Sequence, residues 1–434
     1  MGAARLCWAV WLVAAAALTP GFAAEASARL QRAIEQAWTI APESTRTEAL
    51  IDAARHEAAA RSGSLRPFVE VQREGLTGGF DDALNATAYV RLGTPFPTFG
   101  QRRAGRELAG AAENWSQDAL VAARWEHAGA IARVWLDLAL VEERIAVLDV
   151  QTERLRHALM LERKRLELGE VAGADVVQLE LEEARLVSEL AAAEGARGRL
   201  RAELARWTAD TTTAPLPGDL AGLHAVSRSA LPSDGSLEAA VESSPTITAA
   251  RRALDMQRSS AELSKRTVFG RPSAELEWER IPHVAGVPGF DAWGFLVNVP
   301  LPFGSAGNAS RRAALARVRA DESTYEIARR EALARARAHV VVARNAEATL
   351  ARLEPVLSTL GRTEHALGER FRLGAINYLV FIDGLGRLDT VRLQRAETLH
   401  ALLSARLALA LLGPDGDVFP LPVPREGSDA EVNR

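Results

Sequence analysis

Between Gln101 and Leu168 the chain has no proline, and apolar residues return at steps of three and four: Ile131, Val134, Leu138, Val141, Ile145 and Leu148, continued by Leu155 and Leu159. That spacing holds one apolar stripe on one helix face, the pattern of a coiled-coil seam. Leu350, Leu353, Leu357, Leu360, Leu367 and Phe371 keep the same phase further on, with Glu364 as its polar exception. At about 1.5 Å per residue, a helix over 101–168 is roughly 100 Å long, which no compact domain requires. Elsewhere the period changes to two. Arg66 to Glu74 and Ala86 to Leu92 alternate around the Gly-rich segment Gly75–Gly79, and Ser273 to Arg280 and Asp291 to Val299 alternate around Val284–Gly289. Period-2 alternation around glycine predicts two β-hairpins. In the last segment Trp293, Phe295, Val297 and Val299 share one face, while Ala292, Gly294 and Asn298 occupy the other. Large apolar residues on one side and small or polar ones on the other suit a barrel wall between lipid and water.

The same events occur twice. Ala41-Pro42 answers Ser244-Pro245, Arg66-Pro67 answers Arg271-Pro272, Phe99-Gly100 answers Phe303-Gly304, and Leu168-Gly169 answers Leu373-Gly374, at offsets of 203 to 205 positions. Four landmarks at one offset mark an internal duplication. The expected organisation is residues 1–24 as a signal peptide and 25–207 as a first helix–hairpin–helix repeat with strands near 66–74 and 86–92. Residues 208–236 form a surface linker, and 237–412 a second repeat with strands near 273–280 and 291–299. Residues 413–434 are an extended tail with four prolines. Within each repeat the predicted helices over 28–60 and 175–207, or 237–265 and 376–412, are half-length, so two of them end to end match one long helix. This describes long antiparallel helices with hairpins at one end and the Gly169 and Gly374 turns at the other. Pro355 is expected to kink the second long helix.

The N-terminus sets the compartment. Arg5 precedes an apolar run from Leu6 to Leu18, followed by small residues around Ala23 to Ala26. The run is too short for a membrane span and reads as a removable secretory signal. Its removal takes away Cys7, the single cysteine, so the mature chain forms no disulfide. No later stretch reaches the roughly 18 apolar residues of a transmembrane helix, so entry into a membrane would require a β-barrel. Four strands cannot close one, since small outer-membrane barrels begin at about eight, and membrane insertion would therefore demand oligomerisation. Ala, Leu, Arg and Glu dominate the 434 residues, which fits long helices, and a net charge of −4 gives no reason to expect nucleic acid as a partner.

Chemistry is sparse. His283 beside Glu279 reads as a loop histidine, and no H-x-H or H-E-x-x-H spacing occurs, so no metal site or cofactor is expected. Gly384-Leu385-Gly386 follows no strand, and Gly304-Ser305-Ala306-Gly307 lacks the lysine of a phosphate loop. No carboxylate pair or Ser/His/Asp set stands out, and no enzymatic activity is expected.

With the Pro-rich turns Pro95 to Gly100 and Pro300 to Gly304 and the Leu-Gly landmarks present twice in register, nearly the whole chain resembles the TolC family of outer-membrane factors. The resemblance implies a mainly α fold with a small β part. Long antiparallel coiled-coil helices would form a periplasmic α-barrel, and two β-hairpins per chain would contribute to a shared trimeric transmembrane β-barrel. It implies a homotrimer in outer-membrane lipid, docked to a periplasmic adaptor that is itself bound to an inner-membrane efflux pump. Gly169 and Gly374 would be the adaptor-docking turns. Asp383 falls where the family often has an acidic residue at the tunnel entrance, and Asp175 where some members have a gate carboxylate. Ile376 and Phe371 stand where that gate's basic and tyrosine partners are expected. The loop Glu279 to His283 and the Pro-Leu-Pro-Phe-Gly turn resemble the heavy-metal branch, typified by cobalt–zinc–cadmium efflux. A periplasmic coiled-coil adaptor or a soluble structural protein is the alternative. Adaptors, however, normally carry one hairpin within β-rich domains, whereas this pattern has two hairpins and few strands.

Overall fold

The computed structural model describes residues 20–40, 42–61, 67–74, 87–97, 100–208, 214–227, 230–267, 271–282, 288–300 and 305–413. The body of the expected signal peptide, the loop 75–79, His283, the Phe-Gly turn at 303–304 and the tail from 414 onward lie outside the described residues. Nine helices and four strands occur among the described residues: α1 (Pro20–Ile40), α2 (Pro42–Arg61), β1 (Phe68–Glu74), β2 (Thr87–Pro95), α3 (Gln101–Glu167), α4 (Gly173–Thr208), α5 (Asp219–Val226), α6 (Asp234–Ser243), α7 (Pro245–Arg266), β3 (Ser273–Ile281), β4 (Phe290–Asn298), α8 (Ser305–Arg372) and α9 (Tyr378–Ala410). The fold is thus mainly α with one small antiparallel sheet, as the two periods require. No described helix is long and apolar enough to cross a membrane.

The chain divides into two compact units. One comprises residues 1–46, 121–245 and 329–434 and is purely helical among its described residues; the other comprises 47–120 and 246–328 and holds the sheet. In the helical unit the seam of α3 is the core. Ile131, Val134, Leu138, Ile145, Leu148, Leu155 and Leu159 are all buried. The upper part of that stripe packs with Leu30 and Ile34 of α1, Leu220 and Leu223 of α5, and Leu399 and Leu403 of α9. The lower part packs with Val176, Leu179 and Leu186 of α4 and with Tyr378 of α9. The α8 stripe is covered less completely: Leu360 is buried, but Leu353, Leu357, Leu367 and Phe371 are half-buried.

Two expectations are corrected. The helix read over 28–60 is described as Pro20–Ile40 and Pro42–Arg61, with Ala41 outside the described residues, whereas the matching helix over 237–265 breaks before Pro245. A proline favours the first turn of a helix and forces its predecessor into extended backbone, as Ser244 shows with ψ 141°. The linker is not a surface strap throughout: in α5, Asp219, Leu220, Gly222 and Leu223 are buried. At Pro355, which is exposed, the helix α8 continues.

In the sheet-bearing unit the strands pair antiparallel in the order β1-β2-β3-β4. The central pairing joins the two repeats, with Ala88 opposite Arg280 and Pro95 opposite Ser273. The helices of this unit pack through Ala58, Ala104 and Ala112 together with Leu108 and Leu263. Gln101 Nε2 donates to Arg266 O at 2.9 Å, and Phe96 N donates to Pro272 O at 2.9 Å, tying the start of α3 to the end of α7 and β2 to the start of β3.

Candidate functional site

Register assigns the sheet two unlike faces. On one, the rows Val69–Leu92–Leu276–Phe295 and Val71–Val90–Trp278–Trp293 run across all four strands. Val71 is 73% exposed, Phe295 72% and Trp293 70%, so this apolar belt has no cover among the described residues. The opposite face carries Glu70, Gln72, Tyr89, Arg91, Glu275, Glu277, Glu279 and Asn298 in its middle rows, together with Phe68, Leu296, Ile281 and Phe290. There Arg91 Nε donates to Glu277 Oε2 at 2.6 Å, and Arg91 Nη1 reaches Glu70 Oε2 at 3.4 Å. Among the described residues, the register places one arginine and five glutamates, Glu70, Glu74, Glu275, Glu277 and Glu279, on this face. A Cβ at Gly93 would meet the Phe68 ring at 2.4 Å and the Glu275 side chain at 2.8 Å, so a larger residue there would displace both side chains. The Phe68 ring packs over its cross-strand glycine, which compensates for the missing side chain.

The two helix tips are built alike. Gly169 has φ 75° and Gly374 φ 68°, the left-handed conformation that closes a helix cheaply only at glycine. Gly169 N–H bonds Leu166 O at 2.9 Å and Glu170 N–H bonds Arg165 O at 2.9 Å; Gly374 and Ala375 make the same two bonds to Phe371 O and Arg370 O. These are Schellman closures. The residue before each glycine projects outward, Leu168 being 74% exposed and Leu373 71%.

Asp383 lies on the exposed surface of α9, where its Oδ2 meets Arg387 Nη2 at 3.0 Å. Asp175 sits in the first turn of α4, where a carboxylate suits the helix dipole. The two are not joined to each other by any hydrogen bond or ion pair. Near the second tip stands an aromatic group instead: Phe371 stacks on Phe381 at 4.9 Å and meets Tyr378 edge-on at 4.9 Å. Burial, with Glu162 nearby, pushes the Tyr378 hydroxyl up to about 12.

A charge quartet above this group escapes sequence reading. Arg154 of α3 donates to Glu364 of α8 at 2.7 Å and to Asp389 of α9 at 3.2 Å. Arg392 donates to Glu364 at 2.7 Å and also pairs with Asp389, whose side chain is only 3% exposed. Tyr378 adds a hydrogen bond to Arg154 O at 3.4 Å. Two cations and two anions thus join three helices. The only sequence signal was Glu364 standing in an apolar phase.

A second buried set fixes α5. Asp219 accepts from Leu216 N at 2.9 Å and pairs with Arg29 of α1, which also meets Glu25 at 3.1 Å. Glu143 of α3 accepts from Gly218 N, with Arg395 of α9 nearby. Desolvation pushes both carboxyls above their ordinary range, against the hydrogen bonds and arginines that oppose it.

No protein-family model matches the chain, and no curated protein matches it in sequence. Its fold is that of solved outer-membrane channels. It is similar to CusC, solved for the conformational changes of folding and transmembrane channel formation, at 15% identity and a TM-score of 0.69, over 89% of this chain and 92% of that one. It is similar to the outer membrane protein VceC of Vibrio cholerae at 19% identity and a TM-score of 0.66, over 89% and 96%. It is also similar to the open MtrE outer membrane channel of Neisseria gonorrhoeae at 19% identity and a TM-score of 0.64, over 91% and 90%.

Proposed function

We propose that this chain is an outer-membrane exit duct of a tripartite efflux system and does no chemistry of its own. The observation that carries the reading is the two-faced sheet. An apolar belt spans all four strands on one side, a more polar face lies on the other, and among the described residues nothing pairs with the outer edges of β1 and β4. In hydrocarbon an unpaired strand edge is prohibitive, so the sheet belongs in a closed barrel shared between copies. Three copies would supply twelve strands, within the range of outer-membrane barrels. The likeness to solved channels supports the same reading. In it, Gly169 and Gly374 are the turns that meet a periplasmic adaptor, Leu168 and Leu373 supply apolar contact, and an inner-membrane pump selects the cargo.

The polar face favours cationic cargo, since Glu70, Glu275, Glu277 and Glu279 outnumber Arg91. Rings of carboxylates draw cations into a pore. Heavy-metal ions, which the resemblance of the 279–283 loop implies, fall in that class. Among the described residues no group of three or more His, Cys, Asp or Glu is placed to hold a metal. The face therefore acts as a field along the path of an ion.

The test is fractionation of cells making the protein, followed by electrophoresis of unheated and boiled samples. A detergent-extracted outer-membrane species that falls from trimer to monomer on boiling is expected. A water-soluble periplasmic monomer would overturn the reading.

A further inference from the structure

The apolar belt is not uniform. Val90, Leu92, Leu276, Trp278 and Trp293 line a shallow open groove of about 330 Å³ across β2, β3 and β4. The next row towards the hairpin loops reads Arg73, Ala88, Arg280, Asp291 across the four strands. Two residues along a strand are about 7 Å, so this row borders the groove directly. Arg73 and Arg280 are exposed, and neither makes an ion pair or hydrogen bond with another described residue. They flank Ala88, two strand spacings or about 10 Å apart at the backbone. Between them Ala88 presents only a methyl group. Asp291 lies on the far side of Arg280, away from that space.

We propose that this groove and its arginine mouth seat one membrane lipid, an acyl chain along the tryptophans and an anionic phosphate headgroup between Arg73 and Arg280. The proposal rests on the reading that the belt faces lipid. Charge complementarity selects the occupant. Two guanidinium groups with no partner among the described residues, at the end of an apolar channel, suit a fixed phosphate that carries a hydrocarbon tail, because arginine binds phosphate through paired N–H donors. A zwitterionic lipid would fill the groove equally well but would set its own cation against the arginines.

The test uses the full-length protein reconstituted in phosphatidylcholine vesicles carrying a minor fraction of dibrominated lipid, with tryptophan fluorescence as readout. The groove signal is the difference from a Trp278→Phe/Trp293→Phe protein. Brominated phosphatidylglycerol is expected to quench that signal at a several-fold lower fraction than brominated phosphatidylcholine. Arg73→Gln/Arg280→Gln should bring the two curves together, and Arg73→Lys/Arg280→Lys should restore much of the gap. Identical curves in the unsubstituted protein, or a preference that survives the Gln variant, would overturn the seat. If neither lipid quenches the groove tryptophans of the folded protein, the lipid-facing reading of the belt falls, and the seat falls with it.

Discussion

At the scale of single residues, charge is used in two unlike ways. Asp389 is nearly buried between Arg154 and Arg392, so Asp389→Ala leaves two arginines sharing only Glu364. Removing one partner of a buried ionic network costs about 3–5 kcal/mol. Thermal unfolding should therefore shift down by several degrees, and a variant melting with the parent protein would show that the quartet contributes nothing. Asp383 is the opposite case, exposed and paired with the equally exposed Arg387 one turn on. Such surface pairs contribute little stability, so Arg387→Ala should leave the melting temperature within error. If Asp383 lines the duct, the same change removes its counter-charge. Reversal potentials in planar bilayers should then move towards stronger cation selectivity, and an unchanged potential would remove Asp383 from the conduction path.

Among elements, α5 and the tip turns are the parts where backbone and buried charge meet. Burial raises the Glu143 carboxyl above its ordinary range, so between the ordinary and raised values the folded chain holds a proton that the unfolded chain lacks. This contribution is fully present below the ordinary carboxylate pKa and is lost as pH rises through the folded value. Above the folded value the charged form bears the desolvation cost. Glu143→Gln should keep an acceptor for Gly218 N–H and remove the charge. Its gain in urea midpoint over the parent is expected to be larger at about pH 7.5 than at about pH 5. A constant difference would show that Glu143 does not titrate in the fold. At the tips, Gly169→Ala and Gly374→Ala place a Cβ at positive φ, each costing about 1 kcal/mol with no clash to relieve. If these turns dock an adaptor, the double variant should capture less of it in detergent while keeping the helices. Undiminished capture would put the docking surface elsewhere.

The whole molecule shows which of these features a sequence can carry. Step-three-and-four spacing named the α3 stripe residue by residue, because burial on one helix face is a local periodic property. Alternation likewise marked four short segments and placed Trp293, Phe295 and Val297 on one face. It could not say that β2 would pair with β3 across the duplication, since period two fixes faces and leaves partners open. The quartet was hidden for the same reason: Arg154, Glu364 and Asp389 come from three helices, and nothing local to one helix points to the other two. The buried α5 was masked by turn-forming residues around it. What the sheet adds is a test of the molecule as a whole, because its two faces should tolerate charge differently. Phe295→Arg puts a guanidinium in the apolar belt, where an arginine at mid-membrane costs about 2–4 kcal/mol per copy. Gln72→Arg puts the same group on the polar face. If the sheet is part of a shared barrel in lipid, Phe295→Arg should sharply reduce the heat-sensitive oligomer in outer-membrane fractions, while Gln72→Arg assembles as the parent does. Equal assembly of the two would mean that the belt does not meet hydrocarbon. Its exposed tryptophans and phenylalanine would then have to be covered by another protein surface, and the channel fold would be serving a different end.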